Sequence, residues 1–206
     1  MEKLFYIIRH GETDLNAHGI VQGRGINSDL NDTGRAQGAA FYEHYKHVAF
    51  DKLYTSTLKR THQTVKGFID AGLAWEQLSG LDELAWGEWE GKKASDESRA
   101  AFREMVEAWQ SGNYEAKFEG GESPAEVQNR LQEAIDYILT KPDERTILIC
   151  MHGRAMRLLF CILTGKPLSQ MADFPHLNTT LYRFSYKDEK FEMIDFNNTE
   201  HLKRLP

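Results

Sequence analysis

Apolar positions along this chain alternate between two periods. Short runs without internal charge, Lys3 to Arg9 near the start and Thr146 to Met151 in the second half, read as strands covered on both faces. Asp51 to Tyr54 reads as another short strand, and Leu78 to Leu84 as an edge strand. Between them apolar residues recur at helical spacing. Asn31 is placed to cap a helix running to about Lys46. Ser56 is expected to cap a helix in which Leu58, Val65, Phe68 and Ile69 share one face, with Gly72 near its end. Ser123-Pro124-Ala125-Glu126 is a capping box with proline at the first helical position, opening a helix with a stripe of Val127, Leu131, Ile135 and Ile138. Arg154 to Leu163 predicts a helix stopped by Gly165 and Pro167. Leu181 to Ser185 and Phe191 to Phe196 predict a hairpin turning at Lys187-Asp188-Glu189. Such alternation of strand and helix predicts an α/β fold.

One stretch stands apart. After the glycine-marked aromatic run Trp86-Gly87-Glu88-Trp89-Glu90-Gly91, residues 92–121 are polar, with Phe102, Met105, Val106 and Trp109 at helical spacing. This reads as a helical insertion within one domain spanning residues 1–206.

Composition narrows the function classes. With 41% hydrophobic and 27% charged residues, the chain is an ordinary folded soluble protein rather than a disordered or fibrous one. Lys and Arg total 25 against 31 Asp and Glu, a net charge of -6, so nothing global attracts nucleic acid or an anionic membrane. An anion site must then be built locally. The Leu4 to Ile8 run is far short of a signal-peptide core or a membrane span, and a cytoplasmic location is expected. Cys150 and Cys161 lack CxxC spacing and read as buried reduced thiols. The N-x-T sequons at Asn178 and Asn197 carry no weight without secretion.

The chemistry concentrates at strand ends. Arg9-His10-Gly11 lies just past the first strand and His152-Gly153 just past the later buried one, the edge at which open α/β sheets bind ligands. Ser56-Thr57-Leu58-Lys59-Arg60 places Arg60 in the first turn of a helix after a third strand. Guanidinium groups, a helix N-terminus and imidazoles meeting at one point describe a phosphate site. Two like charges about 4 Å apart repel by about 4 kcal/mol at an effective dielectric near 20. A dianionic phosphoryl group relieves that repulsion.

Arg9-His10-Gly11-Glu12-Thr13 resembles the signature of the histidine phosphatase superfamily, the phosphoglycerate mutase-like proteins. Asn16, Gln22-Gly23, Leu30-Asn31-Asp32-Thr33-Gly34 with Gln37, Ser56 to Thr64, Glu83-Leu84 with Gly87 to Gly91, Gly121-Glu122-Ser123 and Met151-His152-Gly153 are similar to its later motifs, in order over nearly the whole chain. Thr61 and Met151 depart from the residues usual at their places. The resemblance implies a three-layer α/β/α sandwich with a mostly parallel central sheet and a small helical insertion over the site. It implies that His10 attacks phosphorus, that Arg9, Arg60 and His152 bind the equatorial oxygens, and that Glu83 is the general acid and base. Asn16, Gln22, Gly23 and Gly153 fall at substrate-binding places, and no metal or cofactor is implied. The partner is a small-molecule phosphomonoester, with no nucleic acid and no membrane, and a homodimer is left open.

Hydrolysis through a phosphohistidine is the favoured function. The alternatives are a cofactor-dependent phosphoglycerate mutase and a catalytically silent phosphate-binding scaffold. Five basic and six acidic residues over 92–121 do not suit a polyanion clamp, although Lys92, Lys93 and Arg24 are available for a second acidic group. Other histidines read as bland: His44 and His47 lack a third ligand, His18, His176 and His201 fit a solvated face, and His62 fits either surface or pocket. Trp86 and Trp89 fit equally a cleft wall or the core.

Overall fold

The computed structural model describes residues 2–93 and 95–205. β1 (Lys3–Arg9) leads through a one-turn helix α1 (Asp14–Ala17) to α2 (Asp32–Tyr45), which Asn31 caps through a bond from the Gly34 N–H. β2 (Lys52–Thr55), α3 (Lys59–Thr64), α4 (Lys66–Asp70) and β3 (Trp75–Gln77) follow. Then come α5 (Asp96–Gln110), α6 (Pro124–Leu139), β4 (Thr146–Met151) and α7 (Gly153–Thr164). The hairpin β5 (Leu181–Lys187) and β6 (Lys190–Asn198) completes the sheet.

The sheet runs β3-β2-β4-β1-β5-β6. Its first four strands are mutually parallel, and β5 and β6 are antiparallel additions. Successive side chains of a strand face opposite ways. Phe5 and Ile7 therefore join the larger core with α6 and α7, while Tyr6 and Ile8 join the smaller one with Phe41 of α2 and Phe68 of α4. Helices on both faces of a mostly parallel sheet make three layers. The charge-free sequence of β4 follows from its central place, with five of its six residues buried.

Helix ends obey local chemistry. Ser123 and Glu126 exchange the reciprocal bonds of a capping box at the start of α6, and Gly165 ends α7 with φ 67°. Residues 92–121 are tied in by aromatics: Phe102 and Trp109 of α5 lie 4.9 and 5.8 Å from the Trp86 ring, centroid to centroid. Cys150 and Cys161 are buried and unpaired. Among the described residues no helix is long and apolar enough to cross a membrane.

Two local expectations are corrected. Ser56 does not cap a helix running through Ile69: the helix starts at Lys59 with Leu58 at its N-cap, and it breaks at Val65. The Ser56 hydroxyl is engaged elsewhere, with His152 and the Leu58 N–H, and Thr61 and Thr64 return hydroxyl bonds to the carbonyls of Leu58 and Arg60, which compete with helix continuation. Leu78 to Leu84 is not an edge strand. The edge strand is Trp75–Gln77, and the chain then leaves the sheet in a 3-10 turn, Ser79–Leu81, because Leu81 and Leu84 are drawn into the larger core beside α6.

The N-terminus of α2 docks directly on the backbone that follows β1. A Cβ on Gly11 would lie 2.6 Å from the Gly34 carbonyl oxygen, and one on Gly34 would collide with the Glu12 carbonyl oxygen. Alanine is the better helix former by about 1 kcal/mol, yet Gly34→Ala is expected to lower unfolding free energy by about 1–3 kcal/mol in urea denaturation. A gain in stability would contradict the close approach.

Candidate active site

Parallel pairing of β1 with β4 sets Arg9 opposite Met151, so the next residues of both strands emerge together. These are His10 and His152, with ring centroids 5.1 Å apart. The His10 N–H donates to the Met151 carbonyl at 3.0 Å. Its side-chain Nδ1 lies 2.7 Å from the Gly11 carbonyl, which can only accept, so Nδ1 carries the proton and Nε2 the free lone pair. Burial, then the charges of Arg60 and Arg9, hold His10 well below the ordinary imidazole value. It is a neutral imidazole with an oriented lone pair on Nε2.

His152 is fully buried and stands at the N-cap of α7. Arg60 Nε donates to its Nδ1 at 3.2 Å, so Nε2 carries the proton and faces Ser56 Oγ at 2.7 Å. Arg60 is also fully buried. Its Nη1 donates to the Ile26 carbonyl at 2.7 Å and its Nη2 to the Gly23 carbonyl at 3.2 Å. Arg9 Nη1 donates to His176 Nδ1 at 3.1 Å, and its buried Nε has no partner. Burial pushes both guanidiniums down to about 10, which leaves them cationic at neutral pH. Among the described residues neither is paired with a carboxylate. The partners they do have carry no charge.

Glu83, in the segment after the Ser79–Leu81 turn, reaches the start of α7. Its Oε1 accepts the Leu84 N–H at 2.9 Å and the Ala155 N–H at 2.8 Å, and its Oε2 the Arg154 N–H at 3.1 Å. Helix-start N–H groups have no partner within the helix, so the carboxylate fills a ready socket. Arg130 of α6 holds the same segment from behind. Its Nη1 donates to the carbonyls of Gly80 and Asp82, both at 2.8 Å, its Nη2 to the carbonyl of Glu83 at 3.1 Å, and its Nε and Nη2 to the Glu122 carboxylate.

The remaining expected site residues divide. Asn16 spends its oxygen on Thr13 and on Asn178 Nδ2, which leaves its amide NH2 as the remaining donor. Gln22 is committed at both ends, donating to Thr13 Oγ1 at 2.6 Å and accepting from Ser28 Oγ at 2.7 Å. Gly23 serves through its carbonyl on Arg60, and Gly153 sits so close to His176 that a Cβ would lie 2.6 Å from its Cε1. Lys92 faces Glu88 and the Trp89 ring, and Arg24 is paired with Asp82 and Glu122.

Two bland histidine readings are corrected. His176 is a partner of Arg9 rather than a solvated residue, and burial among Arg9, Arg157 and Arg154 pushes it down to about 3. His201 is 1% exposed, packed edge-on against Phe41, with Nε2 3.1 Å from Thr179 Oγ1. His62 packs on Trp75, and Trp86 belongs to the core. His176, Asn178 and Thr179 close the site from a loop that no motif marks. Asn178 Nδ2 donates to the His10 carbonyl at 3.0 Å, and the Thr179 N–H to the Arg9 carbonyl at 3.1 Å from a left-handed backbone, φ 58°. For an asparagine flanking a threonine the sequence offered only a sequon.

Comparison with known proteins agrees over most of the chain. A family model described as histidine phosphatase superfamily (branch 1) matches residues 5–199. Phosphoserine phosphatase 1 of Hydrogenobacter thermophilus is 26% identical over 95% of this chain and 92% of its own. Probable phosphoglycerate mutase GpmB of Yersinia pestis is 30% identical over 89% and 85%. Among solved structures, Bacillus stearothermophilus YhfR superposes with a TM-score of 0.86 at 25% identity, covering 97% of this chain and 99% of that one.

The buried histidines make stability depend on pH in a definite direction. His10, His152, His176 and His201 are all depressed when folded, so the unfolded chain binds more protons below about pH 6.5, and stability must fall as pH falls. Urea denaturation at pH 7, 6 and 5 is expected to show this decline. His201→Gln, remote from His10, should flatten it by about one proton. An unchanged slope would mean that His201 is not buried neutral.

Proposed function

This chain belongs to the histidine phosphatase superfamily, and we propose that within it the protein hydrolyses small-molecule phosphomonoesters through a phosphorylated His10. The observation that carries this reading is the free Nε2 of His10 beside two buried guanidiniums that, among the described residues, form no ion pair with a carboxylate. In the first half-reaction Nε2 attacks phosphorus, the N–P bond forms and the ester P–O bond breaks. Arg9, Arg60, His152 and the Asn16 amide meet the equatorial oxygens, where transition-state charge spreads. Approach of a dianion favours proton uptake at His152 Nδ1, which turns that atom from an acceptor of Arg60 into a donor to phosphate. Glu83 gives its proton to the leaving alkoxide. It then takes one from water as water attacks phosphorus and the N–P bond breaks, releasing phosphate. Gly23 acts by bracing Arg60, Gln22 by bracing the loop between Thr13 and Ser28, and Gly153 by admitting His176.

The relatives and fold neighbours are histidine phosphatases and phosphoglycerate mutase-like enzymes. Hydrolysis is favoured over transfer to a second hydroxyl because two of the three basic residues first available for gripping a polyanion, Arg24 and Lys92 but not Lys93, are engaged with acids of the chain. The reading also includes a reaction without metal and a cytoplasmic location, for which the free Cys150 and Cys161 suit a reducing compartment.

p-Nitrophenyl phosphate near pH 6, in EDTA, is expected to be hydrolysed, with an acid-labile phosphoryl label on His10 during turnover. His10→Ala should lower the rate by about a thousandfold or more. A rate abolished by EDTA, or 2-phosphoglycerate formed from 3-phosphoglycerate faster than inorganic phosphate, would replace this reading. Glu83→Gln should cost about 10²–10⁴ on an alkyl phosphate and far less on the aryl ester, whose leaving group needs no proton. Equal losses would remove Glu83 as the acid.

A further inference from the structure

Arg9 and Arg60 face the same site on unequal footing. Arg60 has three acceptors, one for each nitrogen of its fork. The Arg9 guanidinium makes one hydrogen bond among the described residues, from Nη1 to His176 Nδ1 at 3.1 Å, and its buried Nε makes none. An arginine stem is long and flexible, so a fork held at one point takes its aim from that point. A guanidinium can only donate, so His176 Nδ1 supplies the lone pair and Nε2 carries the proton.

His176 is itself firmly held. Arg157 Nε donates to the Phe174 carbonyl at 2.9 Å, the Tyr182 hydroxyl to the Pro175 carbonyl, and the Leu177 N–H to Thr180 Oγ1 at 2.8 Å, which clamps the backbone on both sides of the ring. The ring edge lies against Gly153, where a Cβ would be 2.6 Å from Cε1 and 2.9 Å from Nε2. A side chain at position 153 would displace the imidazole, and with it the acceptor. Of the other two arginines whose charge reaches the ring, Arg157 is spent on Phe174, and Arg154 lies over indoles, 5.4 Å from the centroid of Trp86 and 5.6 Å from that of Trp109. Burial among these three cations holds the imidazole neutral, so it stays an acceptor at every pH at which the protein would be assayed.

We infer that His176 is a positioning residue, which aims the Arg9 fork at the phosphoryl group through a neutral acceptor and so leaves the arginine charge for the substrate. The inference rests on the reading of Arg9 as a phosphoryl ligand and deepens it with a residue outside the motifs that carry the resemblance.

The test uses substitutions that differ at one atom. His176→Asn and His176→Asp each place an oxygen where Nδ1 stands, one neutral and one charged, and His176→Leu places none. The dissociation constant of inorganic phosphate at pH 7, by isothermal titration calorimetry, is measured beside kcat and KM on p-nitrophenyl phosphate. His176→Leu is expected to weaken phosphate binding and lower kcat/KM by about tenfold or more, as loss of a bond to a charged group implies. His176→Asn should recover most of that loss. His176→Asp should restore the hold and cancel the charge, and bind phosphate about tenfold or more weakly than His176→Asn. A ring that served only to fill space would leave these two variants, equal in volume, alike. Where His176→Leu is not recovered folded, the comparison of His176→Asn with His176→Asp decides. Equal phosphate affinity in those two, His176→Leu equal to wild type, or His176→Asn no better than His176→Leu overturns the inference. Wild-type protein that binds phosphate and is inert toward p-nitrophenyl phosphate sinks the hydrolytic reading instead, and the binding comparison still judges His176.

Discussion

Two guanidinium groups held in the interior by uncharged acceptors are the constraint around which the rest of this molecule is arranged. Arg60 rests on two carbonyls and an imidazole nitrogen, and Arg9 on another imidazole. A carboxylate in any of those places would hold the arginine equally well and cancel the charge that gives the site its use. Burying such a charge costs several kcal/mol. At Arg60 the cost is reduced because neutral acceptors meet each nitrogen without supplying a counterion, whereas Arg9 keeps a buried Nε without a partner. Burial together with neighbouring arginine charge keeps His10, His152 and His176 unprotonated, whereas His201 is held neutral by burial and by His44.

The fold delivers this arrangement with few elements. Parallel pairing of β1 and β4 brings His10 and His152 side by side, and the start of α7 gives Glu83 its socket. Arg130 ties the Glu83 segment to α6, and the loop over residues 176–179 ties Arg9 and His10 to the chain entering β5, the strand next to β1. Glu83 and His10 thus hang from different elements around one sheet, and their relative position is set by core packing.

What could be read from the sequence was what repeats or stays local. β1 and β4 were legible as charge-free runs, the α6 capping box from four consecutive residues, and the meeting of Arg9, His10, Arg60 and His152 from strand-end and helix-start positions, while Glu83 joined them only through the resemblance. What could not be read depends on partners distant in the chain. Nothing near His176 announces that it accepts from Arg9, since 167 positions separate them. Ser56 fits the pattern of a helix cap, and only the arrival of His152 shows where its hydroxyl is used. Arg154 lies within an amphipathic helix pattern that says nothing of Trp86 and Trp109 beneath it.

Guanidiniums that form no ion pair among the described residues have a further consequence. Inorganic phosphate, once freed, presents the same tetrahedral dianion to the same guanidiniums as the ester did, so the feature that draws the reactant in also delays the departure of what is left. Escape of that ion, rather than bond cleavage, becomes the natural bottleneck of the cycle. Vanadate and other oxyanions of that shape should compete for the same berth, and the protein would be found in a phosphate-rich solution mostly occupied.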